Sequence, residues 1–408
     1  MKLGFGTQRL PLLNPQDDTS IDFSEMQRMV DYFIEHGGSY FDIAAPYHGG
    51  AAEPAFKSMV IDRYPRDAFQ ITAKFTTWLL DEAEPDFKMA FFRRQLEHYG
   101  VEYFDNYLYH ALNVERCETM ERIDGYEFVK GLKEKGLIKH IGMQFHDNAD
   151  VLEWVMDRHP EIEFVHLIFN WAEWKSPLLE CKRCYDIITG HGAKVSVMYP
   201  IMQGVLEDSL PQDVQDLLKN ANPDASFTSW ALRWAGSLPG VQTVLVDASS
   251  FAHMRENIAT MENMVPLSTE EERVMEQAMD LLLAHRPHQC TGCNACTPLC
   301  PHNIDIPAYI ENYNDEMLFG LFAALHKGLL YGTFLKEHGR YVDCKDCDAC
   351  VSACPEGLDI PQIMHKASLV FDYHMPYPVT PYYRNPIGEA DTWKPQGEPM
   401  TIGVMDFC

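Results

Sequence analysis

Short apolar runs alternate with longer amphipathic stretches from the start of the chain to about residue 262. The runs have the length and the β-branched and aromatic content of buried strands, and the stretches between them repeat apolar positions at helical spacing. The predicted strands are Lys2–Gly6, Tyr40–Ala44, Phe69–Lys74, Phe104–His110, His140–Gln144, Phe164–Phe169, Lys194–Tyr199 and Gln242–Val246. The predicted helices include Phe23–Glu35, Met89–His98 and Gly125–Lys135. Eight βα units in about 250 residues predict an α/β fold, a (β/α)8 TIM barrel, whose chemistry lies at the carboxyl ends of the strands.

The rest of the chain has a different pattern. Ser268-Thr269 followed by Glu270-Glu271-Glu272 is typical of a capped helix start, and this helix is predicted to reach about His285. A cysteine-rich segment follows, with a mostly helical pattern at 308–338, and a tail rich in proline and tyrosine shows no period. We therefore predict a barrel at 1–262, a linker helix in 263–289, a mainly α-helical domain at 290–375 and an extended tail at 376–408.

Composition and charge exclude several classes of protein. The apolar share of 46% is ordinary for a globular chain, and 33 basic against 60 acidic residues give a net charge of −27. Such a charge argues against binding nucleic acid or an anionic membrane surface, and favours a basic redox partner. The sequence shows neither a signal peptide nor the roughly 18–20 uninterrupted apolar residues of a membrane span, so a cytoplasmic protein is expected.

One cysteine motif occurs twice in the cysteine-rich segment. Each copy reads C-x2-C-x2-C-x3-C-P, the run that holds [4Fe–4S] clusters in bacterial two-cluster ferredoxins, where the fourth cysteine ligates the other cluster. The predicted ligand sets are Cys290, Cys293, Cys296 and Cys354 for the first cluster, and Cys344, Cys347, Cys350 and Cys300 for the second. Zinc sites need fewer cysteines, and disulfides would need an oxidising compartment. Oxygen-sensitive clusters indicate a cell that lives at low oxygen.

The cysteine motifs belong to a larger repeat. Ile304-Asp305-Ile306-Pro307 follows the first motif, and Leu358-Asp359-Ile360-Pro361 follows the second at the equivalent position. Such self-similarity indicates a duplicated unit. Cys181 and Cys184 form a further CxxC pair, but within a helical pattern this pair is interpreted as two ordinary thiols.

Polar residues occur at the ends of three successive predicted strands. Asp42 ends the second strand with Tyr47 shortly after it, Lys74 ends the third, and His110 ends the fourth. With Leu3-Gly4-Phe5-Gly6-Thr7 at the start and Glu256-Asn257 after the eighth strand, the first 257 or so residues resemble the aldo-keto reductase superfamily, and the whole layout resembles the iron–sulfur aldo-keto reductases of anaerobes. The resemblance implies that the catalytic residues are Asp42, Tyr47, Lys74 and His110.

The chemistry of carbonyl reduction requires these residue types. Reduction places negative charge on the carbonyl oxygen, which a positioned proton donor must neutralise. A free tyrosine, with a pKa near 10, is a weak acid at neutral pH, and a neighbouring lysine cation stabilises its phenolate. We therefore expect Tyr47 to donate the proton, Lys74 to activate it, Asp42 to anchor the lysine and His110 to orient the carbonyl.

The expected cofactor contacts depart from the family pattern. Members commonly place Ser-Asn at the end of the fifth strand and Gln on the sixth, where this chain has Gln144-Phe145 and His166. NADPH-binding members place a lysine and an arginine after the eighth strand, where this chain has Asp247 and His253. Two like charges about 4 Å apart repel by about 4 kcal/mol at a dielectric near 20, so NAD(H) is favoured over NADP(H), with a flavin as the alternative. The candidate cofactor-binding residues are Gln144, His166, Asn170, Tyr199, Asp247, Ser249, Ser250, Glu256 and Asn257.

These patterns predict an oxidoreductase acting on a small-molecule carbonyl or alcohol, with electrons linked through two [4Fe–4S] clusters. A cluster passes one electron and a nicotinamide passes a hydride, so a ferredoxin or flavodoxin-like partner is expected. Two alternatives stay open. The first is a flavin-linked reductase that does not use nicotinamide, and the second is an electron-transfer or regulatory subunit with a catalytically altered barrel.

Overall fold

The computed structural model describes residues 1–176, 179–321, 323–324 and 339–374. It confirms the predicted barrel: eight parallel strands pair in chain order, and the eighth closes on the first. The strands are β1 (Leu3–Gly6), β2 (Tyr40–Asp42), β3 (Gln70–Phe75), β4 (Phe104–Leu112), β5 (Ile138–Phe145), β6 (Phe164–Ile168), β7 (Lys194–Met198) and β8 (Val241–Asp247).

Helices surround the strands and pack on them through one apolar face. In α1, Asp22 accepts hydrogen bonds from the first-turn backbone of Ser24 and Glu25, and the buried side chains of Met26 and Val30 lie one turn apart on the inner face. The helices of the barrel are α1 (Phe23–Glu35), α2 (Ala52–Phe56), α3 (Phe87–Tyr99), α4 (Val114–Arg122), α5 (Gly125–Glu134), α6 (Ala149–Arg158), α7 (Cys181–Gly190), α8 (Val205–Asp208), α9 (Gln212–Ala221), α10 (Phe227–Ser237) and α11 (Phe251–Met261).

The register of the strands places two aspartates at one edge of the barrel. Gly6 of β1 is paired with Asp42 of β2 on one side and with Asp247 of β8 on the other. A Cβ atom at Gly6 would collide with the Asp247 carboxylate, so the absence of a side chain there lets this carboxylate fold over β1. Both acidic groups therefore lie at the carboxyl end of the barrel.

The second module packs around its own apolar core. The predicted connecting helix is present as α12 (Thr269–Ala284), and its first turn has the expected capping box between Ser268 and Glu271. Two further helices, α13 (Ile306–Phe319) and α14 (Ile360–His374), pack together with Ile304, Tyr341 and the cysteine segments. The tail at 376–408 and the predicted helical stretch at 325–338 lie outside the described residues.

Within the described ranges, no helix combines the length and the apolar character that crossing a bilayer requires.

Candidate active site and cluster sites

Three side chains of the predicted tetrad are in direct contact. Lys74 Nζ donates to Asp42 Oδ2 at 2.7 Å and to Tyr47 OH at 2.5 Å. Asp42 and Lys74 lie on the adjacent strands β2 and β3, and Tyr47 begins a short 3-10 turn, Tyr47–Gly50, after β2. The lysine is completely buried, so its charge needs both partners to offset the cost of leaving water. The arrangement places a phenol against a buried cation.

His110 completes the set from β4. Its ring lies edge-on to Tyr47, with centroids 6.4 Å apart, and its Nδ1 is hydrogen bonded to Thr76 Oγ1 at 2.7 Å. Burial, followed by the positive charges of Lys74 and Arg116, holds the pKa of His110 well below its usual value. The imidazole is therefore neutral at physiological pH, and its buried Nε2 has no hydrogen-bond partner among the described residues. A neutral ring with one unused nitrogen can orient a polar substrate atom.

Opposing electrostatic effects act on the carboxylate of Asp42. Burial raises its pKa to about 6, the Lys74 cation opposes this, and the nearby Asp247 carboxylate adds to the increase. The second carboxylate oxygen, Oδ1, has no hydrogen-bond partner within the described part of the chain. The ionisation of Asp42, and with it the pairing of Lys74, is therefore sensitive to pH near neutrality.

An open cleft of about 440 Å³ lies above this group. The cleft is lined by Gln8, Asp42, Tyr47, Gln144, Ile168, Met198, Tyr199, Gln203, Leu245 and Asp247. Tyr199 and Gln203 have φ angles of 63° and 56°, a left-handed conformation that sequence patterns do not indicate for these residue types. The sequence did not point to Gln8, Ile168, Met198, Gln203 or Leu245, because loop geometry and strand depth decide which side chains reach the cleft.

Three of the predicted cofactor residues face this cleft. Gln144 is buried, its Nε2 contacts Met198 Sδ at 3.5 Å, and its Oε1 has no hydrogen-bond partner among the described residues. Tyr199 and Asp247 also line the cleft. An unpaired buried amide oxygen fits a ligand that brings a donor group, such as the carboxamide of a nicotinamide.

His166 and Asn170 occupy different places from those expected. His166 is fully buried below the cleft, where its Nε2 is hydrogen bonded to Tyr40 OH at 2.8 Å. The β6 residue that reaches the cleft is Ile168, because side chains two positions apart on a strand share a face but differ in depth. Asn170 binds within its own loop, donating to Glu173 Oε2 at 2.7 Å.

The residues after β8 are likewise separated from Asp247. Asp247 faces the cleft beside Asp42, whereas Ser249 is exposed and pairs with His253 Nδ1 at 3.4 Å. Ser250 caps α11 by accepting from the backbone of His253. Asn257 is buried and Glu256 half-buried in the same helix, and neither lines the cleft. The sequence pattern suggested that Asp247 and His253 together would meet a phosphate. In the structure Asp247 lines the cleft, whereas His253 pairs with the exposed Ser249.

The eight motif cysteines converge on two cavities. A cavity of about 310 Å³ is lined by Cys290, Cys293, Cys296 and Cys354, and one of about 340 Å³ is lined by Cys300, Cys344, Cys347 and Cys350. The remaining walls are largely apolar, including Ile310 at the first cavity and Met364 at the second. Among the described residues, no three His, Cys, Asp or Glu side chains are placed to hold a single metal ion. Four thiols around a cavity fit a cluster better than one ion.

The two motifs share one backbone conformation. In each, a 3-10 turn, Thr297–Leu299 or Val351–Ala353, separates the third cysteine from the fourth. Asn294 and its counterpart Asp348 both have left-handed φ angles, of 57° and 56°. The shared geometry agrees with the duplication predicted from the sequence.

Burial affects the thiols of these motifs. It raises the pKa of Cys350 to about 11, and the neighbouring Cys344 adds to this increase. A thiol with such a pKa binds iron only if the metal itself displaces the proton. Outside the motifs, burial raises the pKa of Cys184 to about 12, which fits the interpretation of the α7 cysteines as ordinary thiols.

A buried polar contact joins the cluster module to the barrel. Glu311 of α13 accepts from the Ser176 hydroxyl of the β6–α7 loop at 2.8 Å and from Arg286 Nη2 at 2.8 Å. All three side chains are at least nine-tenths buried. At the edge of this interface, Lys175 Nζ lies 2.6 Å from Asp280 of α12. The neighbour of Glu311, Ile310, lines the cavity of the first cysteine quartet.

The barrel, the contacting residues at its carboxyl end and the two cysteine cavities together define an oxidoreductase. The Aldo/keto reductase family matches residues 2–280, and the chain belongs to this family. A 4Fe-4S dicluster domain matches residues 269–358, which supports iron–sulfur clusters in the second module. The resemblance drawn from the sequence is thereby confirmed. The protein is an aldo-keto reductase-type oxidoreductase with a 4Fe-4S dicluster domain.

Relatives of known name agree with this class. The uncharacterized oxidoreductase YqkF of Bacillus subtilis is 25% identical over 293 residues, which cover 63% of this chain and 89% of YqkF. The holo form of aldo-keto reductase AKR11C1 from Bacillus halodurans matches with a TM-score of 0.54 and 21% identity, covering 68% of this chain and 91% of that one. An aldo-keto reductase from Klebsiella pneumoniae in complex with NADPH matches with a TM-score of 0.50 and 21% identity, covering 71% and 93%. These structures establish the similarity of fold.

Proposed function

We propose that the barrel reduces a carbonyl compound, or oxidises the corresponding alcohol, in the cleft beside Tyr47. The observation that carries this proposal is the position of Lys74 Nζ, 2.7 Å from Asp42 Oδ2 and 2.5 Å from Tyr47 OH. A carbonyl that accepts a hydride develops negative charge on its oxygen, and the phenol beside the cation is placed to give that oxygen a proton. Asp42 keeps the lysine charged and in line with the phenol.

His110 is the proposed orienting group. Its ring is neutral, its Nε2 has no hydrogen-bond partner in the described part of the chain, and Thr76 holds the other nitrogen at 2.7 Å. Trp78 lies against the same ring, with centroids 4.7 Å apart, and limits its rotation. A fixed imidazole can hold the carbonyl oxygen near Tyr47 without competing for the proton.

A nicotinamide is the proposed hydride source, since this cofactor supplies a hydride when bound. Gln144 Oε1, which has no hydrogen-bond partner among the described residues, would accept from its carboxamide, and Tyr199, which also lines the cleft, would pack against its ring. The other predicted cofactor residues, Ser249, Ser250, Glu256 and Asn257, would act through the position of α11. His166 and Asn170 have no contact with the cleft that would support such a role.

We further propose NAD(H) rather than NADP(H). The backbone N–H of Phe251, at the start of α11, already donates to Glu25 Oε1 at 2.8 Å, so a carboxylate occupies the end of the helix dipole that attracts anions. An additional phosphate there would meet a like charge. The NADPH in the Klebsiella relative argues the other way, but at 21% identity that relative supports the fold alone, so the proposal depends on the charges of this chain.

The clusters are proposed to link the barrel to an external electron carrier. The first quartet shares α13 with the Glu311–Ser176 contact, so we propose that a cluster held there communicates with the barrel. A ferredoxin or flavodoxin-like partner would exchange electrons with the cluster held by Cys300, Cys344, Cys347 and Cys350. Each cluster passes one electron and a nicotinamide takes up two with a proton, so a bound flavin remains the alternative redox cofactor.

The proposed domain boundaries follow the helices. The last barrel helix, α11, ends at Met261, and α12 lies between the proposed barrel at 1–262 and the cluster domain at 290–375. The family matches at 2–280 and 269–358 overlap within α12. This overlap supports treating 263–289 as a linker that packs on both modules.

Replacement of Tyr47 tests the proposal. Anaerobically purified protein would be analysed for organic cofactor and iron, and then assayed with NADH, or with reduced ferredoxin, against a panel of aldehydes and ketones. The Tyr47→Phe variant should lose turnover by roughly 100- to 10,000-fold and keep the iron content of the unaltered protein. Reduction that persists in this variant, or a flavin in place of nicotinamide-dependent activity, would overturn the assignment and favour the carrier or the flavin-linked alternative.

A further inference from the structure

A column of polar side chains runs through the interior of the barrel below Asp42. The centre of such a barrel is ordinarily filled by branched apolar residues. Here five strands contribute the buried polar groups Tyr40 (β2), Thr72 (β3), Asn106 (β4), His166 (β6) and Ser196 (β7), and the half-buried Gln242 of β8 reaches Ser196. Thr72, His166 and Ser196 are completely buried. Because buried polar groups are costly unless they are satisfied, their arrangement calls for a functional explanation.

In two hydrogen bonds of this column the donor can be identified, because an amide nitrogen donates to a hydroxyl oxygen. Asn106 Nδ2 donates to Thr72 Oγ1 at 3.0 Å, and Gln242 Nε2 donates to Ser196 Oγ at 3.2 Å. An amide nitrogen can only donate, so each hydroxyl accepts there and keeps its own proton free to donate elsewhere. The buried phenol of Tyr40 belongs to the same column.

Tyr40 OH is hydrogen bonded to His166 Nε2 at 2.8 Å. Burial and then the Asp42 carboxylate raise the pKa of Tyr40, so the phenol keeps its proton and can donate it. On the other side of the ring, Nδ1 faces the carboxylate of Asp42, where a nitrogen lone pair would be repelled and an N–H attracted. Nε2 is therefore the nitrogen that accepts the tyrosine proton.

The tautomer of His166 follows from this direction. Burial, followed by the charge of Lys74, holds the pKa of His166 well below its usual value, so the ring is neutral and carries one proton. With Nε2 accepting from Tyr40, that proton resides on Nδ1. Nδ1 faces Asp42 Oδ1 at 3.7 Å, and neither atom has another hydrogen-bond partner among the described residues.

We propose that His166 is a positioning residue, which donates an Nδ1–H hydrogen bond to Asp42 Oδ1 and so keeps the carboxylate aligned on Lys74 during turnover. The separation of 3.7 Å exceeds the usual range of about 2.7–3.2 Å, and catalytic hydrogen bonds are often long before the substrate binds and shorten afterwards. This role rests on the proposed function, because the alignment of Lys74 matters only if Tyr47 is the proton donor.

The consequence is a defined effect on the ionisation of Asp42. The charged and titratable groups that face this carboxylate are Lys74 from β3, Asp247 from β8, His166 from β6 and Tyr40 from β2 itself. An N–H donor stabilises the carboxylate, so removal of His166 should raise the pKa of Asp42, and Asp42 would then be protonated at a higher pH. The acid limb of the rate profile should move upward in the same way.

Substitutions at His166 separate the hydrogen bond from simple packing. His166→Leu removes the donor and keeps most of the volume, whereas His166→Asn places an amide N–H near the position of Nδ1. We expect the pKa of Asp42, followed by ¹³C NMR of aspartate-labelled protein, to rise by about one unit in His166→Leu and to return toward the original value in His166→Asn. His159→Leu, which changes a histidine outside the column, should leave it unchanged.

The tautomer itself can be measured on the unaltered protein. ¹⁵N NMR of histidine-labelled, oxidised holoprotein should assign the Nδ1–H form to His166, and this measurement needs neither substrate nor turnover. An Nε2–H form, or equal Asp42 pKa values in the Leu and Asn variants, would overturn the role proposed for His166. Inactivity of the unaltered protein toward carbonyls would overturn the proposed function, while the Nδ1–H form and the two Asp42 pKa values would still decide whether His166 holds Asp42.

Discussion

The carboxylate of Glu311, in the cluster module, accepts a 2.8 Å hydrogen bond from the hydroxyl of Ser176, in a loop of the barrel. The loop that carries Ser176 leaves β6 at Ile168, which lines the catalytic cleft, and the helix that carries Glu311 lines the first cysteine cavity through Ile310. The buried contact between Ser176 and Glu311 therefore lies between the catalytic cleft and the first cysteine cavity. Arg286 provides the balancing charge.

Removal of the Glu311 charge should loosen the cluster module. Glu311→Gln leaves the Arg286 guanidinium buried without a counterion, and breaking a buried pair in this way costs about 3 kcal/mol or more. The free energy of unfolding, measured anaerobically with denaturant, should fall by that amount. The double variant Arg286→Met/Glu311→Met should recover most of it, since neither charge remains. Asp186→Asn, in the exposed pair with Lys182, is the control and should cost less than about 0.5 kcal/mol. Equal costs at the two pairs would contradict the interface described here.

Acidification should stop turnover before it unfolds the barrel. The pKa of Asp42 is raised to about 6, so protonation below this pH removes the counterion of Lys74 and kcat should fall. A carboxyl whose pKa is raised in the folded state binds its proton more tightly there than in the unfolded chain. The contribution of Asp42 to the free energy of unfolding therefore increases as the pH decreases from about 6 toward 4, while kcat decreases. We expect kcat to lose about tenfold per pH unit below 6 while the far-UV circular dichroism at pH 5 stays unchanged. Activity should return on transfer to pH 7.5. A flat profile down to pH 4.5, or activity lost together with secondary structure, would contradict this assignment.

The sequence predicted the barrel and the contact between Asp42, Lys74 and Tyr47 for a simple physical reason. The ends of neighbouring parallel strands meet at one edge, so polar residues that end β2 and β3 must approach each other. Close spacing likewise predicted that the first three cysteines of each motif lie at one cavity, whereas the exchange of the fourth cysteine followed from the pattern of two-cluster ferredoxins.

The remaining site residues could not be placed from the sequence. His166 was expected at the cofactor, but the stagger of β6 brings Ile168 to that level and leaves His166 one layer deeper. Gln203 reaches the cleft through a left-handed turn that its residue type does not indicate. Asp247 turns inward because Gly6 leaves space for its carboxylate. Depth, loop conformation and unfilled space arise from tertiary packing.

The choice between NADH and NADPH should depend on Glu25. Its carboxylate accepts from Phe251 N–H at 2.8 Å and pairs with Arg28, whose guanidinium lies 4.5 Å from the Phe251 ring. Glu25→Gln removes the negative charge from the start of α11 and releases Arg28, so the ratio of kcat/KM for NADPH to that for NADH should rise about fivefold. Glu127→Gln, in an exposed pair with Lys130 that has the same i,i+3 spacing, is the control and should leave the ratio unchanged. A strong preference for NADPH in the unaltered protein would contradict the proposal.

Pairs of cysteine substitutions can determine which thiols share a cluster. Cys290 and Cys354 line one cavity although they belong to different motifs, whereas Cys300 lines the other. Each single change to Ala should therefore lose one cluster, leaving about four irons per chain. The double variant Cys290→Ala/Cys354→Ala should lose no more than either single variant, because both changes affect the same cluster. The double variant Cys290→Ala/Cys300→Ala should lose nearly all iron, although its two changes lie within one motif.

The control is Cys117→Ala, at a buried thiol outside the motifs, which should keep the full content of about eight irons per chain. The opposite result for the two double variants would show that each motif binds its own cluster, and the ligand sets assigned here would be wrong.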